Sequence, residues 1–181
     1  MMGIPMNQLQ YPIGKFERPT QIDAAQIAEW VLDLESLPER LQRLVQNLDT
    51  LQLETPYRPD GWTVRQLIHH IADSHHNSYI RFKWALTEDR PVIKAYDEKA
   101  WAALFDSCTA PVQPSLDHLK VVHHKLVYLL KGLSVSDLKR TFIHPENHVE
   151  TSIEENIGRY AWHGNHHFAH IQKLLIRNGW I

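Results

Sequence analysis

Between Ile153 and Leu175 apolar residues recur at steps of three and four, as Ile153, Ile157, Tyr160, Gly164, Phe168, Ile171 and Leu175. That period marks one face of an α-helix. A stripe about six turns long must be covered by other helices of similar length. The chain offers three. Segment 20–48 carries Ile22, Ile27, Trp30, Val31, Leu34, Leu41, Leu44, Val45 and Leu48. Segment 63–88 opens on Thr63 as a plausible N-cap and continues through Val64, Leu67, Ile68, Ile71, Phe82 and Leu86. Segment 115–133 repeats the pattern with Leu116, Leu119, Val122, Leu126, Leu129 and Leu130. Ser152 and Glu155 have capping-box spacing for the start of the last helix, and Asn178-Gly179 ends it.

These segments predict an all-α fold: a four-helix bundle in one domain spanning 1–181, with a long crossover connection at 89–114 and short extra helices at 97–105 and 136–140. Pro38 is expected to break or kink the first helix. Pro5, Pro12 and Pro19, with Tyr11 and Phe16 between them, make 1–20 an irregular arm expected to pack on the domain or on a partner subunit. The loop 144–148 should lead into the last helix.

The net charge is -2 and the basic residues are dispersed, which argues against a phosphate-backbone partner. One cysteine, Cys108, allows no intrachain disulfide; it lies in a predicted loop without a basic neighbour and reads as an ordinary thiol. No apolar run approaches 18 residues and no charged-then-apolar leader is present, so a soluble cytoplasmic protein without a membrane partner is expected. The six tryptophans read as core or dimer contacts.

Histidine is the residue that stands out. Eight of the thirteen fall in two windows: His69, His70, His75 and His76 on the second long helix, and His163, His166, His167 and His170 on the last. Histidines four apart share a helix face and can reach one ion. At ~100° per residue, His163 and His167 flank the apolar stripe, whereas His166 and His170 lie further toward the solvent side. His163 and His167 are therefore the better chelating pair, and Gly164 between them would let a neighbouring helix approach with a further ligand. On the second helix His70, Ser74, Asn77 and Arg81 border the apolar stripe, which makes His70 a candidate. His75, nearer the middle of that face, remains its rival.

The segments DGWTVRQLIHHIADSHHNSYIRFKWAL, YDEKAW, FIHPENH and YAWHGNHHFAHI, together with the YPIG arm at Tyr11, resemble the DinB-like superfamily and within it the YfiT-like branch, described as metal-dependent hydrolases. The resemblance covers most of the chain. It implies a four-helix bundle with one histidine ligand from the second helix and two, four apart, from the last, which fall here on His70, His163 and His167. It also implies one divalent metal per chain, zinc or nickel, a small-molecule substrate and a homodimer.

Three nitrogen ligands with an open water position describe a catalytic rather than a closed structural site. Such a site can activate water for hydrolysis. It can equally deprotonate a small thiol for transfer to an electrophile, the alternative reading; a non-catalytic metal-binding dimer is the third. Gly164 stands where the HExxH pattern would put a glutamate base, which argues against protease-type chemistry. Asp73, Asn77, Glu155 or another histidine are the base candidates, and none is singled out as the catalytic group.

Overall fold

The structure, a computed structural model, describes residues 5–181. In chain order its elements are α1 (Met6–Gln10), α2 (Ala24–Val45), α3 (Thr50–Leu53), α4 (Val64–Thr87), α5 (Glu98–Ala102), α6 (Phe105–Thr109), α7 (Gln113–Lys131), α8 (Val135–Leu138), β1 (Thr141–Ile143), β2 (Glu150–Ser152) and α9 (Ile153–Arg177). The four expected long helices are present as α2, α4, α7 and α9. Helix α2 packs against α7 and α9, and α4 packs against the same two, so α2 and α4 face each other across the bundle diagonal. The crossover through α5 and α6 lies against α4.

Several local rules explain the ends. Thr63 caps α4 reciprocally with Gln66, each side chain serving the other's backbone N–H. Ser152 accepts from the Glu155 N–H, but the Glu155 carboxylate turns to Arg18 at 2.9 Å, so only half of the expected capping box forms. The connection 89–114 holds two short helices rather than one, and Cys108 lies in the second of them. Loop 144–148 closes an antiparallel pair, Thr141 opposite Ser152, which a helical pattern does not reveal because three-residue strands are too short to display a period. Residues after α4 return beside this pair: Ile93 N–H donates to the Ile143 carbonyl and Ile143 N–H to that of Pro91.

The N-terminal arm differs from expectation in part. Residues 1–4 lie outside the described residues, and Met6–Gln10 is a short helix rather than irregular chain. The arm packs on its own chain: Tyr11 lies against His166, Phe16 against Trp162, and Lys173 Nζ donates to the Pro12 carbonyl.

Pro38 neither breaks nor ends α2, which continues through it. A proline inside a helix lacks the N–H that would bond to the carbonyl four residues earlier, here Leu34. That carbonyl is buried, and a buried carbonyl needs a donor. It receives one from Nδ1 of His123 on α7, at 2.5 Å.

The core has two apolar clusters. One contains Val31, Leu34, Phe82, Leu126, Ile157 and Tyr160; the other contains Leu37, Leu41, Leu67, Ile71, Leu119 and Ile171. Each long helix passes from one cluster to the other. The passage on α4 contains His75, that on α7 contains His123 and that on α9 contains His163, so a layer of imidazoles, His75 and His123 buried and His163 partly so, separates the two halves. Gly164 permits this layer to close: a Cβ there would lie 2.4 Å from Cδ2 of Leu37 on α2 and 3.4 Å from Cε1 of His75.

Candidate metal centre

Three imidazoles meet beside this layer, His70 and His167 buried and His163 partly so. His70 from α4 and His163 and His167 from α9 present ring nitrogens within 4.8 Å of one another. His75, the sequence rival, is not among them. Nε2 of His70 and Nε2 of His163 are 3.3 Å apart. Tetrahedral ligands at zinc–nitrogen distances of about 2.0–2.1 Å are roughly 3.3–3.4 Å apart, so this spacing needs no rearrangement to receive an ion. The His70 ring also lies 4.8 Å from the Trp62 ring, which walls the site on that side.

Burial keeps these nitrogens available as lone-pair donors. Desolvation holds His70 to a pKa of about 4 and pushes His163 and His167 well below the usual imidazole value, their mutual proximity adding to the effect. No carboxylate is among the charged groups acting on the three rings. All three are therefore neutral near pH 7, the form a metal requires.

His75 has a different role, which follows from proton parity. The Leu34 carbonyl can only accept, so His123 Nδ1 carries a proton. Desolvation holds His123 to about 4, so it is neutral and its Nε2 must accept; the donor is His75 Nδ1 at 2.9 Å. His75 is fully buried and its pKa is likewise pushed down by desolvation, so its Nε2 accepts from His163 Nδ1 at 3.2 Å. The chain of bonds ends by leaving a lone pair on His163 Nε2, the atom that faces His70. A helical carbonyl freed by Pro38 thus fixes, through two intervening rings, the tautomer that a metal ligand needs.

Other histidines depart from the sequence reading. His166 and His170 are 7% and 4% exposed rather than solvent-facing, because the arm covers them: His170 Nε2 donates to the Gln10 carbonyl and His166 lies beneath Tyr11. Desolvation lowers them to about 4 and about 3. With His167 they form a second group of convergent nitrogens, drawn from one helix alone. His166 stacks on Trp162 and His170 lies tilted against Tyr57, aromatic neighbours that hold both rings in place as packing groups.

A cavity of about 660 Å³ opens on His163 and is lined also by Ser74, Arg81, Tyr96, His144 and Tyr160. Tyr96, brought there by the return of the chain after α4, stands beside Ser74, and desolvation pushes its phenol above the ordinary range against the opposing effect of the Ser74 hydroxyl. Asp73, Asn77 and Glu155, the sequence candidates for a base, do not line this cavity; Asn77 is bonded to the backbone of its own helix and Glu155 is paired with Arg18. Ser74 and Arg81 belong to the polar strip legible in α4, whereas Tyr96 and Tyr160 carried no such signal. A second cleft of about 720 Å³ lies between Arg18 and Glu155 and contains none of the clustered histidines.

Comparison with known proteins agrees with this architecture. A model of the DinB superfamily matches residues 33–171. A Bacillus cereus (strain 03BB102) protein provisionally named a metal-dependent hydrolase is 51% identical over 175 residues, 97% of this chain and all of the relative. One from Oceanobacillus iheyensis with the same provisional name is 50% identical over the same coverage. Among solved structures, YfiT from Bacillus subtilis, described as a probable metal-dependent hydrolase with an unusual four-helix bundle topology, superposes with a TM-score of 0.94 at 46% identity, covering 96% of this chain and 99% of that one. The chain belongs to the DinB superfamily and is a YfiT-like four-helix bundle.

Proposed function

We propose that this chain is a metal-dependent hydrolase of a small molecule, with His70, His163 and His167 holding one divalent cation, zinc or nickel. The observation that carries the reading is the 3.3 Å separation of two neutral imidazole nitrogens from different helices, with His167 beside them, at the edge of a solvent-connected cavity. The names of the similar proteins support the same class. An all-imidazole donor set suits zinc and nickel, and a cation so held would supply Lewis acidity toward water or another small nucleophile. The protein's own part is to orient the rings. His123 and His75 hold His163 in one tautomer, Trp62 excludes water from one side of His70, and the cavity beside His163 admits the reactant.

Metal-dependent transfer of a small thiol is the second reading, supported by the lack of any carboxylate acting on the three rings: a thiol deprotonated by coordination needs no general base. The test is turnover of a panel of small esters, amides and thiol-plus-electrophile pairs by metal-depleted protein before and after zinc or nickel is added. Hydrolysis restored by metal and absent in His163→Ala supports the first reading. Metal-dependent loss of free thiol supports the second, and no metal-dependent turnover of either kind ends both.

A further inference from the structure

Three charged side chains are buried among the described residues: Arg65, Arg81 and Glu155. Two have partners. Arg65 meets Glu54 at 2.6 Å and donates to the Ala110 carbonyl, and Glu155 meets Arg18 at 2.9 Å and Arg159 at 3.6 Å. Arg81 is different. It is 9% exposed, no carboxylate lies within ion-pair distance among the described residues, and its Nε is buried without a hydrogen-bond partner. Its one bond to another side chain is from Nη1 to the Tyr160 hydroxyl, at 3.3 Å. Arginine is almost never buried unless paired, and an uncompensated buried charge is costly. A fold that keeps one does so where a partner arrives from outside.

The position says what that partner meets. Arg81 lines the 660 Å³ cavity that also exposes His163. Arg159 and His144 line the same cavity and, with Arg81, a contiguous recess of about 190 Å³ against the β1–β2 loop. The acidic residues around this cavity, Asp97, Glu98 and Glu146, are exposed at its rim; Asp97 is engaged in capping α5, and Glu146 stands 3.9 Å from His144. Lys99 is exposed on the same rim. The buried end is therefore cationic through Arg81, and a guanidinium offers a fork of N–H donors suited to a planar or tetrahedral oxyanion.

We propose that Arg81 is the anion anchor of this cavity, binding the carboxylate or phosphate group of the small molecule that reacts beside His163. Exposed Arg159, 3.6 Å from Glu155, adds positive field at the mouth, and His144, whose pKa is lowered by desolvation, offers a neutral ring rather than a charge. The claim that this molecule is the substrate rests on the metal-centre reading above; the anion site itself does not, because none of its residues is a proposed metal ligand. The site would orient an anionic reactant and select against neutral analogues of the same size, since a neutral group leaves the buried guanidinium unpaired.

The experiment is equilibrium binding, by calorimetry and thermal shift at constant ionic strength, of inorganic phosphate, succinate and neutral succinamide to metal-depleted wild-type, Arg81→Gln and Arg81→Lys proteins. Expected is saturable binding of phosphate or succinate but not succinamide, weakened by roughly tenfold or more in Arg81→Gln and less in Arg81→Lys, which keeps the charge but loses the fork. The relative affinities of phosphate and succinate distinguish the two anion types. Without anion, Arg81→Gln should unfold at a temperature equal to or above that of wild type, because it removes an uncompensated charge; a merely structural arginine would give a lower one. Equal anion affinity in wild type and Arg81→Gln, or no saturable anion binding by wild type, overturns the proposal. Because metal is absent throughout, either result is independent of whether the three histidines bind an ion.

Discussion

Nε2 of His75 lies 3.2 Å from Nδ1 of His163, joining the middle of α4 to the middle of α9 through a bond whose direction is dictated from α2. Breaking it should loosen the ring that faces His70. His75→Phe keeps an aromatic body but leaves His163 Nδ1 without an acceptor. Partners of metal-bound histidines typically contribute 10–100-fold to metal affinity, so a competitive chelator titration should find zinc bound roughly that much more weakly. Far-ultraviolet circular dichroism serves as the fold control. An unchanged affinity would show that the relay does not tune the ligand.

The same relay predicts a pH dependence of folding. His123 is held at about 4 by desolvation, with His124 adding repulsion and the Leu34 carbonyl opposing the shift. His75 is the titratable ring facing it from α4. In the unfolded chain an imidazole titrates near 6.5. Between those values the unfolded state binds the extra proton, so stability falls as pH drops through 6.5 and the contribution is fully lost below about 4. At pH 5 the loss for one such group is about 2 kcal/mol. Urea unfolding of metal-free wild type and His123→Gln at pH 7.5 and pH 5 should give a smaller acid loss in the variant by about that amount. Identical acid losses would contradict the assignment of a neutral buried His123.

Gly158 predicts a packing effect on the same helix. An added Cβ would approach three atoms of the Trp30 ring to 2.7–2.9 Å, closer than carbon atoms pack. Alanine improves helix propensity by up to ~1 kcal/mol, and overpacking typically costs 1–3 kcal/mol. Since a stiff indole cannot yield by rotating one methyl group, the clash should win. Gly158→Ala is expected to lower the melting temperature, and combining it with Trp30→Leu should recover part of the loss. A gain in stability for the single variant would mean that Trp30 moves freely.

Much of this was legible in the chain. The apolar periods of α2, α4, α7 and α9 place all four long helices, because the period is set by which face is buried. The same reasoning separates His163 and His167 from the rest of their helix, and the family pattern selects His70 over His75. What the periods could not convey was tertiary cover. His166 and His170 face away from the bundle seam, yet they are buried because the arm folds over them. Pro38 reads locally as a helix breaker, and only the arrival of His123 from α7 makes its freed carbonyl useful. Arg81 was visible as part of a polar strip, but its lack of a counterion is a fact of three dimensions.

One metal site built from His70, His163 and His167 is open to direct test. The most direct test is a spectroscopic titration of the metal-depleted protein with cobalt, read together with X-ray absorption of the zinc form, for wild type and for His70→Ala, His163→Ala and His167→Ala. Expected are one equivalent bound by wild type, three imidazole ligands and no protein sulfur in the absorption data, and loss of tight binding in each variant while His166→Ala retains it. Stoichiometric tight binding that survives replacement of His163, or a coordination shell without imidazole, would contradict it.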